Sequence, residues 1–287
     1  MLNRSGATLV ELLVATTLAA VVLGAATSTF ARQRRSADDH LSRVRAEAQV
    51  RAALGGLQVA LEGLSASAGD LVAGEARDTA IQLRIAVANG VGCDSRAGSV
   101  ALIADDTSAA RANGFAVAPR VGDTLWWRTP GATGWLARRV SDITTTSGLC
   151  AVAGAAARTL LQFGFTPLDT IPRGAPIRLT RPERFSFYRA GDGSWQLGES
   201  EWSDVLHAFA PPQPIAGPFT RVGPDGARTG FRYFDASSAA LSVGMLGVDV
   251  ARVTRVRVSV IAPERTPSGT VVGYHMDSLD VALRRAP

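Results

Sequence analysis

The chain has 287 residues, with 30 basic side chains, all arginine, against 25 acidic ones and a formal charge of +5. That imbalance is mild and no run of five like charges occurs, so nothing here points to nucleic acid as a partner. Its two cysteines and three histidines are dispersed and fall outside CxxC, HxxxH and HExxH spacings, which leaves no metal site and no thioredoxin-type site to expect.

The first element is an apolar run over residues 7–31, about 25 residues and long enough for a helix to cross a hydrocarbon core of ~30 Å. It exceeds the roughly 7–15 apolar residues of a secretory signal core, although Gly24-Ala25-Ala26-Thr27-Ser28 leaves room for a signal-type cut. Thr16, Ala20, Gly24 and Ser28 recur every fourth residue, a row small enough to let neighbouring helices approach closely. One charge, Glu11, sits inside the run. An ionisable side chain is costly in a bilayer, so by default it has a function and a partner. The alternative is a plain anchor whose Glu reaches for the membrane surface.

Helix is predicted to continue through a stretch rich in Ala, Arg, Glu and Leu, because no proline precedes Pro119. Val50, Leu54, Leu57, Leu61 and Leu64 are spaced as one apolar helix face, and Leu41, Val44 and Ala48 are expected to extend it upstream. Gly55-Gly56 is a weak point or a place of close packing, and the segment from Ser65 to Asp70 reads as the stop. From about Thr79 the period changes to two. Ile81, Leu83, Ile85 and Val87 alternate with more polar neighbours, as a half-buried strand requires.

Short strands are predicted over residues 100–104, 124–128, 135–140 and 161–165. Residues 184–189 and 194–197 flank Gly191-Asp192-Gly193, the clearest hairpin signal in the chain. Residues 203–230, rich in Pro and Gly, read as an exposed connection. Strand resumes at 231–234 and 256–260, and Leu279, Val281 and Leu283 close the pattern. The fold class expected is therefore α+β, with a long N-terminal helix followed by a mainly antiparallel β domain. The first half of that helix is transmembrane and the second half amphipathic.

The segment Gly6-Ala-Thr-Leu-Val-Glu-Leu-Leu-Val-Ala resembles the processing motif of the type IV prepilin and type II secretion pseudopilin family. The resemblance implies a leader over residues 1–6, cleavage by a prepilin peptidase between Gly6 and Ala7, and N-methylation of Ala7. It implies that Glu11 meets the N-terminal amine of a neighbouring subunit, each group relieving the burial cost of the other. Ala7 stands where the family usually has Phe, and Arg4 is the one basic side chain of the leader. A transmembrane helix over 7–31, an amphipathic periplasmic helix over 32–69 and a periplasmic β domain over 70–287 would follow. The anchor would be single-pass in a bacterial inner membrane, and other pilin subunits would be met through the N-terminal helix. Arg32, Arg34 and Arg35 behind the span pull the other way, since a count of flanking positive charge puts that side in the cytoplasm.

The distal half is similar, more loosely, to the large minor members, the J-type pseudopilins and W-type minor pilins, through its Phe-x-Phe-Tyr strand, Gly-Asp-Gly turn and Arg-Val-x-Arg-Val-Arg-Val strand. That implies a non-enzymatic subunit that primes or caps a filament. The alternatives are a filament-tip binding module, such as an adhesin or DNA-uptake subunit, and a plain membrane-anchored periplasmic β domain.

Chemistry elsewhere is thin. No Gly-x-Ser-x-Gly elbow or phosphate loop is present, so no catalytic residues and no cofactor are expected. Glu199, Glu201, Asp204 and His207 form the densest acidic group and read as a polar loop in preference to a cation site. Trp126, Trp127, Arg128, Trp135, Arg138 and Arg139 surround one predicted hairpin, with Trp127 and Arg128 the speculative ligand surface. Adjacent Trp126 and Trp127 face opposite ways on a strand, so at most one need be core, and packing in the core and against a partner subunit is the preferred reading. Cys93 and Cys150 would pair in an oxidising compartment and close a loop of about 58 residues; two buried free thiols are the alternative.

Overall fold

The computed structural model describes residues 9–66, 68–104, 113–129, 131, 134–150, 157–203, 206–243 and 247–284. It opens with a single helix, α1 (Leu9–Leu61), 53 residues and about 80 Å long. Nothing in its sequence interrupts the hydrogen-bond ladder. It ends at Leu61, short of the expected Leu64, because Gly63 turns the backbone to φ +89°, a conformation that caps helices and suits glycine. The helix runs straight through Gly55-Gly56, and Gly56 lies beside Ile215.

The strands in chain order are β1 (Ala80–Val91), β2 (Asp94–Arg96), β3 (Ser99–Ile103), β4 (Gly114–Phe115), β5 (Thr124–Trp127), β6 (Leu136–Leu149) and β7 (Ala157–Phe165). Then come β8 (Pro176–Arg189), β9 (Trp195–Ser203), β10 (Ala208–Phe209), β11 (Gln213–Phe219), β12 (Gly230–Phe234) and β13 (Ala240–Leu241). A one-turn helix, α2 (Gly247–Ala251), precedes β14 (Arg255–Arg265) and β15 (Val271–Ala282). The α+β class with an antiparallel β domain is what the alternation of apolar residues predicts. Eleven strands, β1–β11, form one sheet, and β13-β12-β14-β15 form a second.

Strands β1 and β8 run through two cores. One core joins the buried stripe of α1 to Ile81, Leu83, Phe185, Phe187 and Leu197 of the large sheet and to Val256, Val258 and Val260 of the small one. The other, further along the same strands, gathers Leu102, Leu125, Trp127, Val140, Phe163, Phe165 and Leu179. The Gly-Asp-Gly hairpin joins β8 to β9 as its turn residues dictate, with Asp192 accepting the Ser194 N–H at 2.9 Å and Gly193 at φ +82°.

Two expectations need correction. The segment 203–230 is not simply an exposed connection. It contains β11, which pairs with β9 at the sheet edge and buries Phe219 beneath α1 and β14. The proline-rich sequence is compatible with a strand only at an edge, where a missing N–H is harmless. Leu41, Val44 and Ala48 do not extend the packed face of α1. The buried stripe is Ser42, Ala46, Val50, Ala53, Leu54, Leu57 and Leu61, whereas Leu41 and Val44 are about half exposed. At about 100° per residue, Leu41, Val44 and Ala48 lie some 120–180° round the helix from Val50.

Candidate functional site

The span of α1 from Leu9 to Ala31 is exposed throughout and carries Glu11 as its one charge. It is long and apolar enough to cross a membrane. Glu11 lies in the first turn, and Gly6 and Ala7 lie outside the described residues. Thr16, Thr17, Thr27, Ser28 and Thr29 return their hydroxyls to backbone carbonyls three or four residues back, at 2.9–3.0 Å. Their hydrogen bonds are thus met within the helix, as an apolar surrounding would demand.

From the last turn of the span onward, α1 has an inner apolar face and an outer face that mixes apolar and arginine side chains. The inner one docks on β11, β14 and β15. The outer one presents Phe30, Leu41, Val44 and Val59 at 64, 49, 46 and 77 % exposure, interleaved with Ala37, Ala48, Ala52 and Gly55, all exposed. Recurrence at spacings of three, four and seven places these residues on the side away from the domain, where the exposed Arg34 and Arg45 share the same face. The small residues of this face allow a second helix to come close.

Cys93 and Cys150 are bridged, with their Cα atoms 4.7 Å apart. Both are almost fully buried beside Ala101, Ile103 and Leu160, and the bridge ties the end of β1 to the end of β6.

Of the two residues of the speculative ligand surface, Trp127 takes the core position. Trp127 is 1 % exposed and stacks on Phe165 in the distal core, with ring centroids 5.9 Å apart. Arg128 is exposed, one residue past the strand. Because neighbours on a strand point to opposite faces, burial of Trp127 turns Trp126 outward. The Trp126 indole N–H donates to Thr180 Oγ1 at 2.9 Å, and the Arg84 guanidinium lies 5.3 Å above its ring. Arg84 and Trp202 are the residues that sequence reasoning missed here. Finding them required the pairing of β1 with β8 and of β8 with β9, which no local signal announces.

In the acidic group, Asp204 lies outside the described residues and His207 is exposed. Glu199 and Glu201 share a sheet face with Glu183, which stands opposite Glu201 in the β8–β9 register. Burial first, then the hydrogen bond and negative charge of Glu199, push the Glu183 carboxyl up to about 9. Among the described residues no three His, Cys, Asp or Glu side chains are placed to hold a metal ion.

No protein-family model, curated protein or solved structure matches the chain. Its function therefore has to be argued from the residues themselves.

Proposed function

We propose that the chain is a minor pilin or pseudopilin, a non-enzymatic subunit that primes or caps a filament and is held in the membrane by its N-terminal helix. The observation that carries the reading is α1 itself: an exposed apolar span with a single acid, continuing without a break into a helix with one face docked and one open. An anchor alone requires the span but not the apolar side chains of the outer face. A subunit that packs beside others needs both, because its helix must bury one side in its own domain and the other against a neighbour.

In this reading a prepilin peptidase cuts between Gly6 and Ala7, Ala7 is methylated, and Glu11 meets the new amine of the adjacent subunit. The disulfide fits a β domain on the oxidising, periplasmic side of the membrane. A bulky β domain fits a tip or priming position better than a repeated one, where it would crowd its neighbours.

Replacing Glu11 by Ala in cells that make the protein tests this directly. The variant should still partition with membranes but be lost from cross-linked assemblies with other helical subunits. Unchanged cross-linking would overturn the assembly role.

A further inference from the structure

The large sheet contains a fork. On one side β8 pairs with β1 from Pro176 to Ser186. On its other side β5 holds it over Ile177–Thr180, and β9 takes over from Glu183 to Arg189. The handover falls at Arg181-Pro182, where proline has no N–H to offer a neighbour. Above it, on the face away from α1, lies an open groove of about 370 Å³ lined by Gln82, Arg84, Thr124, Arg139, Pro182 and Trp202. Pockets of this size hold small ligands.

Charge at Arg84 is unevenly matched. Arg84 and Arg178 converge on one carboxylate, Asp70, which is 2 % exposed. Arg178 takes one oxygen at 2.6 Å, and the backbone N–H of Ser65 donates to the other at 2.8 Å. Arg84 is left with the carbonyl of Gly69 and the face of Trp126. Burial pulls its guanidinium below its ordinary value, opposed by Asp70 and reinforced by Arg178. An arginine stays charged in proteins, so Arg84 is a partly desolvated cation that shares its counter-charge. An anion entering the groove would relieve it.

We propose that this groove binds a phosphoryl group, on a ligand whose ring rests against Trp202. The donors decide between anions. A planar carboxylate is satisfied by one guanidinium fork. Here guanidiniums arrive from two sides, Arg84 on β1 and Arg139 on β6, with the Thr124 hydroxyl on the intervening β5 and the Gln82 amide beside Arg84 on β1. Donors spread in this way suit a phosphoryl group, which has three acceptor oxygens pointing apart. Trp202 stands edge-on to Phe209, centroids 5.2 Å apart, which fixes the ring at the groove wall. A nucleotide and a sugar phosphate share this chemistry. The site does not depend on what α1 does.

The test is calorimetric titration of the full-length protein in neutral detergent at low salt. Adenosine 5′-monophosphate and glucose 6-phosphate serve as ring-bearing phosphates, with inorganic phosphate, adenosine and galacturonate as comparisons. At least one ring-bearing phosphate should bind ten-fold or more tightly than all three comparisons, and the tighter of the two names the source. Arg139→Gln and Trp202→Leu should each weaken that binding five-fold or more while the far-UV circular dichroism spectrum at the titration temperature stays that of the parent. Arg45→Gln, on the exposed side of α1, should leave it unchanged. No saturable binding of either ring-bearing phosphate overturns the proposal, as does equal binding of galacturonate. Equal binding of inorganic phosphate or of adenosine overturns it too, as does an equal loss in Arg45→Gln, which would reduce the effect to diffuse charge.

Discussion

Replacing Glu183 by Gln should stabilise the β domain at neutral and alkaline pH and leave it unchanged in acid. The register of β8 against β9 sets Glu183 opposite Glu201 and Phe185 opposite Glu199, so three carboxylates face one side of the sheet. Across β8 on the other flank stands Leu83, which is fully buried. Burial, with Glu199 and Glu201 nearby, raises Glu183 from 4.5 to about 9, and Arg181 opposes the shift only in part. Below about 4.5 the carboxyl is protonated in both the folded and the unfolded chain and contributes nothing. Between there and about 9 the unfolded chain has released a proton that the folded one retains, so stability falls as pH rises.

At pH 7 the gap is about two and a half units, and 1.36 kcal/mol per unit sets a ceiling of about 3.4 kcal/mol. Glu183 is partly exposed, so solvent screening reduces the expected gain to ~1.5–2 kcal/mol. For a domain of this size that is a rise in melting temperature of roughly 3–8 °C. Glutamine also keeps the hydrogen bond, by donating its amide to Glu199. Thermal unfolding followed by near-UV circular dichroism from pH 4 to pH 9 should show the variant and parent converging at acid pH and diverging above pH 5. Parallel curves across the range would refute the reasoning.

The remaining predictions concern packing. Leu57→Ala, at a fully buried point of the α1 stripe, should cost about 2–5 kcal/mol in denaturant unfolding, whereas Leu41→Ser on the outer face should cost under about 0.5 kcal/mol. The Leu41 change should instead weaken cross-linking to neighbouring helical subunits. Trp127→Ala should cost about 3–5 kcal/mol, since it empties the distal core. Joint replacement of Cys93 and Cys150 by Ser should lower stability by about 4 kcal/mol, given a sequence separation of 57, and reducing agent should then have no further effect.

The helix and most strands were legible because their signals are local. Alternation marked β1, and a Gly-Asp-Gly turn between alternating runs marked the β8–β9 hairpin. The failures share a cause, which is that partners distant in sequence decide them. Proline at 211, 212, 214 and 218 made β11 look like loop, and only the free edge of β9 makes it a strand. Leu41 and Val44 carry the same apolar signal as Val50, yet the domain covers one side of the helix alone. Trp126 and Trp127 were bound to part faces, but which one is buried depends on Phe165, 38 residues downstream. The fork under the groove arises because β8 changes partner at Pro182, and no periodicity in β8 itself records that change.

The central claim is that the N-terminal helix is a processed assembly helix. It is tested most directly by the intact mass and N-terminal residue of the protein purified from its own membranes. The account predicts a chain that begins at Ala7 and carries one methyl group on its amine. A chain that retains Met1, or one that begins beyond Gly24, would contradict it.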